Sequence, residues 1–151
     1  MSKTVTYLHI RAISARATRG VLTCGSLVVP CALGRSGRIV LKREGDGGSP
    51  VGIWLLRRIY YRGDRLIRPL SKIPASPIKG GWGWCETVGD GNYNRRVDLP
   101  YPAAHEDLKR PDHLYDIVVE TSHNQRPRIQ GRGSAIFFHL ARENFAPTAG
   151  C

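Results

Sequence analysis

The chain has 151 residues, 41% hydrophobic and 23% charged, an ordinary composition for one globular domain able to bury its own core. No apolar run reaches the roughly 18 residues of a membrane span, and residues 1–20 show no apolar stretch with a cleavage site, so no signal peptide is visible. A net charge of +11, from 23 Lys and Arg against 12 Asp and Glu, favours polyanionic surroundings: nucleic acid, anionic lipid, or an acidic cell-wall polymer.

The bases are scattered, the densest group being Arg57, Arg58, Arg62, Arg65 and Arg68. Charge therefore names no partner, and a solvated basic surface accounts for it equally well. The 17 Gly and 10 Pro point to many turns and few long helices. In chain order, Val5 to Ile10 is predicted as a strand. Gly20 to Cys24 and Leu27 to Leu33 form a predicted hairpin closed at Gly25-Ser26. Gly34 to Gly37 is a turn, and Arg38 to Leu41 resumes the sheet. Lys42 to Gly52 (KREGDGGSPVG) is a loop of residues that tolerate or fix unusual φ, in which Glu44 and Asp46 read as solvated turn residues. Ile53 to Tyr61 is predicted as a well-buried strand turned by Arg62-Gly63-Asp64.

Pro69 to Pro102 lacks periodicity and is predicted as a long irregular segment, of the kind that covers functional sites. Ala103 to Arg110, between Pro102 and Pro111, is predicted as the one short helix. Tyr115 to Thr121 and Ser134 to Leu140 are predicted strands. The fold class expected is mainly β: one compact β-sandwich or barrel-like domain over residues 1–151, with one or two short helices and a long irregular middle. Of the four cysteines, Cys24, Cys31, Cys85 and Cys151, none has metal-site or redox spacing. A disulfide between Cys24 and Cys31 is open to the hairpin, with two buried free thiols the favoured reading. His9 and His123 lack ligand spacing, His105 and His113 read as surface residues, and no metal is expected.

A nucleophilic cysteine needs a base within hydrogen-bond reach. His139 lies on the last predicted strand, sharing a face with Phe137 and Ala135. Taken alone it reads as a core histidine satisfied by a backbone carbonyl. Pro147-Thr148-Ala149-Gly150-Cys151 changes that balance, because a short loop after the strand can fold the thiol back onto the imidazole. Gly150 also lets backbone N–H groups approach a substrate carbonyl, where they would stabilise an oxyanion.

The pairing of GRGSAIFFHLA (Gly131 to Ala141) with PTAGC (Pro147 to Cys151) resembles the signature of the YkuD-type L,D-transpeptidases. KREGDGGSPVGIW (Lys42 to Trp54) is similar to the family's upstream region at Ser49, Pro50 and Gly52. GWGWCE (Gly81 to Glu86), YNRRVDLP (Tyr93 to Pro100), YDIVV and Asn124 are similar to a compact branch of it. Two departures are visible: Ala149 stands where the wider family often has a second histidine, and the interval from His139 to Cys151 is short. Family members run on past the nucleophile, so the chain is expected to lack its C-terminal end.

The resemblance implies Cys151 as nucleophile and His139 as its base, with Thr148, Ala149 and Gly150 shaping the oxyanion turn. Gly133, Ser134, Trp82 and Trp84 are the candidates for substrate contact. It implies a peptidoglycan L,D-transpeptidase that acylates Cys151 with a donor stem peptide, releases D-alanine and passes the acyl group to an acceptor amine. No cofactor is needed, acylation by a carbapenem is expected, and the place of action is the periplasm or cell envelope. The alternatives are an L,D-carboxypeptidase or another cysteine peptidase or amidase with the same pair. A basic nucleic-acid-binding β domain, stacking bases on Trp82, Trp84, Tyr60 and Tyr61, ranks below these, and no nucleic acid is expected as partner.

Overall fold

The computed structural model describes residues 7–151. Twelve short strands run in chain order: β1 (His9–Arg11), β2 (Arg19–Cys24), β3 (Leu27–Ala32), β4 (Arg38–Ile39), β5 (Ser49–Pro50), β6 (Leu56–Tyr61), β7 (Ala75–Pro77), β8 (Trp82–Cys85), β9 (Arg96–Asp98), β10 (His105–Asp107), β11 (Ile117–Thr121) and β12 (Phe137–His139). They form a sheet β1-β2-β3, a second β10-β8-β9, a third β12-β11-β6-β7, and the parallel pair β4-β5. The mainly β fold expected from the sequence is present.

The third sheet carries the core. Its β11 is Ile-Val-Val-Glu-Thr, β-branched at four of five positions and flanked on both edges, so it is buried on both faces. Register places Val118 beside Tyr60 on one side and His139 on the other. Tyr60, Val118 and Phe137 then meet Trp84 of β8 and the fully buried Leu108, just after β10. Trp84 lies edge-on to Phe137 with centroids 5.0 Å apart. Cys151 packs against this same cluster, so the last residue of the chain is anchored by the core.

The β2–β3 hairpin closes at Gly25-Ser26 as expected, and Gly34 to Gly37 turns with Gly37 N–H on the Gly34 carbonyl at 2.8 Å. All four cysteines are free. Cys24 faces Leu27 while Cys31 faces Gly20, which at roughly 3.3 Å per residue separates the two thiols by about 13 Å, beyond any disulfide. Both are half-buried rather than buried. Of the strand predicted over Val5 to Ile10, residues 5 and 6 lie outside the described residues, and His9–Arg11 is extended.

Three expectations are corrected. Ala103 to Arg110 is no helix but an extended stretch containing β10, paired antiparallel with β8. With only Leu108 as a large apolar residue, a helix there would bury almost nothing, and so short a helix is marginal without packing. As a strand it satisfies its backbone on β8. Among the described residues there is no α-helix, only a 3₁₀ turn at Glu143–Phe145, broken by Asn144 at φ 54°. The supposedly irregular Pro69 to Pro102 holds β7, β8 and β9, strands too short and too rich in Gly and Pro to show a period. Finally, Ile53, Trp54 and Leu55 are exposed, so the strand predicted from Ile53 begins at Leu56.

Candidate active site

The terminal Thr-Ala-Gly-Cys segment is held by the glycine-rich loop and by the turn after β3. Thr148 bridges Gly34: its N–H donates to the Leu33 carbonyl and its carbonyl accepts from Arg35 N–H, both at 2.9 Å. Ser49 accepts from Gly34 N–H at 2.8 Å and donates its hydroxyl to the Cys151 carbonyl at 2.6 Å. Thr148 Oγ1 donates to that same carbonyl at 2.8 Å. The chains lie so close that a Cβ on Gly34 would stand 2.3 Å from the Gly47 carbonyl oxygen. Gly150 sits at φ +139° against Gly48 and Lys42, a conformation that L side chains rarely adopt.

Cys151 and His139 line one cavity of ≈ 220 Å³. The thiol donates to the Ala135 carbonyl at 3.3 Å, just ahead of β12. Burial pushes its pKa up to about 12; Glu106 adds to the rise, while the Phe137 backbone and Lys42 offset part of it. His139 Nδ1 lies 2.8 Å from the Leu140 carbonyl. A carbonyl only accepts, so Nδ1 carries the proton and Nε2 keeps its lone pair. Burial lowers the imidazole pKa despite that hydrogen bond. Both shifts favour a thiol beside a neutral imidazole over a thiolate–imidazolium ion pair.

Thr148, Ala149, Gly150 and Ser134 all line the cavity. Gly133 lies behind it, against Lys42 and His123. Trp84 is a core residue, 3% exposed, with its indole N–H on Asn94 Oδ1 at 2.9 Å. Trp82 packs outside the cavity, beneath the Arg96 guanidinium at 4.1 Å. The Gly150 N–H is spent on Thr148 Oγ1 at 3.2 Å. Among the described residues nothing takes the Cys151 N–H, which leaves it as the candidate oxyanion donor of the turn.

Several lining residues carry no signal in sequence. Lys42, 7% exposed, pairs with Asp46, which also caps Arg43 and Gly48 N–H. Glu44 accepts from the Tyr93 hydroxyl. Both acids were expected to be solvated turn residues; instead they fasten the loop, and Glu44 lines the cavity. From the far wall come Glu106, Arg110 and Tyr115. The Tyr115 ring stands edge-on to His139 with centroids 5.2 Å apart.

Behind Gly133, His123 is 7% exposed and its Nδ1 has no partner among the described residues. Burial, aided by Lys42, holds its pKa down at about 4, against 6.5 ordinarily. Between those two values the unfolded chain takes up a proton that the folded chain refuses. Stability present above pH 6.5 is thus lost as the pH falls towards 4, by about 2–3 kcal/mol from this group. Urea unfolding of the wild type and His123→Gln across that window should show a shallower pH slope in the variant; equal slopes would mean that His123 titrates normally.

A family model for the YkuD L,D-transpeptidase catalytic domain matches residues 16–151. The chain belongs to the YkuD family. Among curated proteins and among solved structures nothing matches it at a significant level. YkuD domains act on peptidoglycan, and no helix among the described residues of this one is long and apolar enough to cross a membrane. Nearly the whole described chain, from just before β2 to Cys151, is accounted for by that one catalytic domain.

Proposed function

We propose that the protein is a peptidoglycan L,D-transpeptidase of the cell envelope in which Cys151 is the nucleophile and His139 its general base. The observation that carries this reading is a thiol and an imidazole with a fixed tautomer on the wall of one cavity. Cys151 Sγ attacks the donor carbonyl as its proton passes to His139 Nε2. The oxyanion forms beside the Cys151 N–H. Collapse breaks the amide bond, His139 returns the proton to the departing D-alanine amine, and a thioester remains. An acceptor amine then attacks the thioester, gives up a proton through His139, and leaves the cross-linked peptide and the free thiol.

The nucleic-acid reading loses three of its four stacking platforms, because Tyr60, Tyr61 and Trp84 are buried. Much of the arginine cluster is also neutralised internally: Arg62 pairs with Asp64, Arg65 with Asp116 and Arg57 with Glu120.

A carbapenem presents a strained acyl donor, so intact-mass spectrometry should show one stable adduct on the wild type and none on Cys151→Ala. Stem peptides assayed in parallel should yield dimers with release of D-alanine. An adduct on Cys151→Ala, or none on a folded wild type, would overturn the assignment. Trimmed peptides without dimers would mark water as the acceptor and a carboxypeptidase in its place.

A further inference from the structure

Between β5 and β6 the chain turns aliphatic side chains into water. Ile53 is 90% exposed and Leu55 72%, while Trp54 between them folds back onto Gly52 and stands edge-on to the His123 ring, centroids 4.8 Å apart. The segment is pinned: Leu55 N–H donates to Ser122 Oγ at 2.8 Å, and its carbonyl accepts from Ser122 N–H at 2.9 Å. Val51 extends the patch, and its N–H donates to the Ile39 carbonyl at 2.9 Å, which sets the exposed Val40 and Leu41 alongside. Large aliphatic side chains grouped in water on a fixed backbone mark a surface that something covers.

Arginines border this patch. Directly after Leu55, Arg57 comes to 3.5 Å from Glu120, and Arg58 is the register partner of Glu120. Arg128 donates to the Asn94 carbonyl at 3.2 Å and to Gln125 Oε1 at 2.6 Å, which places it near Arg95 and Arg126. Arg58, Arg95, Arg126 and Arg128 are all exposed. Burial lowers the Arg128 pKa, and the charges of Arg95, Arg57 and Arg126 lower it further, against Glu120. Glu120 is itself drawn inward, where it accepts from the Tyr60 hydroxyl at 3.2 Å. Positive charge is therefore left in excess beside the aliphatic patch.

The sign of the charge calls for an anion, and the aliphatic residues decide which kind. A soluble polyanion would cover the arginines and leave Ile53 and Leu55 in water. An anionic bilayer takes both, with phosphate groups for the guanidinium forks and the acyl boundary for the side chains between them. We propose that Val51, Ile53 and Leu55, with Arg57, Arg95, Arg126 and Arg128, form a face that docks the protein peripherally on an anionic phospholipid surface. None of these residues lines the cavity of Cys151, so the proposal stands apart from the transpeptidase reading.

The test is co-sedimentation of the full chain with vesicles of phosphatidylcholine, alone or with one-quarter phosphatidylglycerol. The wild type should bind the anionic vesicles about tenfold tighter or better than the neutral ones. Ile53→Ser with Leu55→Ser leaves the charge unchanged and should weaken that binding about tenfold or more. Arg95→Gln with Arg126→Gln should also weaken it, by about fivefold for each arginine. All four side chains stand in water, so both variants keep the fold.

A wild type that does not bind the anionic vesicles overturns the proposal, as does binding that survives either pair of substitutions. Equal binding to neutral and anionic vesicles would overturn it too, since the arginines would then contribute nothing. Binding that depends on the arginines but ignores Ile53 and Leu55 would mark a site for a soluble polyanion in place of a membrane.

Discussion

Replacing His139 with alanine is expected to slow acylation of Cys151 on the order of 10³-fold, within the usual range for loss of a positioned general base. The physical reason is the resting state of the thiol. With the Cys151 pKa at about 12, almost no thiolate exists at neutral pH, so attack depends on proton removal in the same step. In the proposed mechanism His139 takes that proton, since burial keeps it neutral and the Leu140 carbonyl fixes its own proton on Nδ1.

The pH profile separates the two proteins. On the proposed mechanism acylation requires neutral His139, whose pKa is lowered, so activity should persist to more acidic pH than an ordinary imidazole allows and fall below it. In His139→Ala only pre-formed thiolate attacks, so the rate should climb continuously with pH towards the high pKa of Cys151. Single-turnover acylation followed by intact mass across pH reads both curves. A variant with the wild-type profile would remove His139 from the role of base.

The largest loss of stability is expected at Asn94. Its side chain is 1% exposed and its Oδ1 accepts from both Trp84 Nε1, at 2.9 Å, and Ala135 N–H, at 3.1 Å. Its Nδ2 donates to the Asn124 carbonyl at 2.9 Å. Asn94→Ala strands two buried donors and takes the amide donor from the carbonyls of His123 and Asn124, and it places alanine at φ 55°, where asparagine is better tolerated. The expected cost is about 3–5 kcal/mol, read as a shift of the urea midpoint at unchanged slope. A loss below about 1 kcal/mol would mean that water replaces the amide. Because Ala135 holds the Cys151 thiol through its carbonyl, the same variant should also change the alkylation rate of Cys151.

How much of this was legible in sequence follows from the range of each signal. The hairpin at Gly25-Ser26 and the strand at Ile117–Thr121 were legible because turn chemistry and β-branched runs act locally. His139 and Cys151, both at the cavity, were legible through a motif short enough to read directly. β8 and β10 were not, since each has three or four residues and is held extended by pairing with distant strands, β10 with β8 and β8 with β9 as well. Glu106 carried no signal of its own in the sequence; β10 turns it towards Tyr115. Glu44 and Asp46 were misread for the opposite reason. Their loop has turn composition, and nothing local announces that Tyr93 and Lys42 reach it.

The protonated resting thiol has a consequence for the lifetime of the enzyme. Peroxides and disulfides are attacked by thiolates, and thiols are nearly inert to them. On the proposed mechanism, a cysteine that gives up its proton only to a neighbouring base at the moment of attack spends the interval between turnovers in its unreactive form. The same proposed mechanism would let the thiol tolerate oxidants without a partner cysteine beside it.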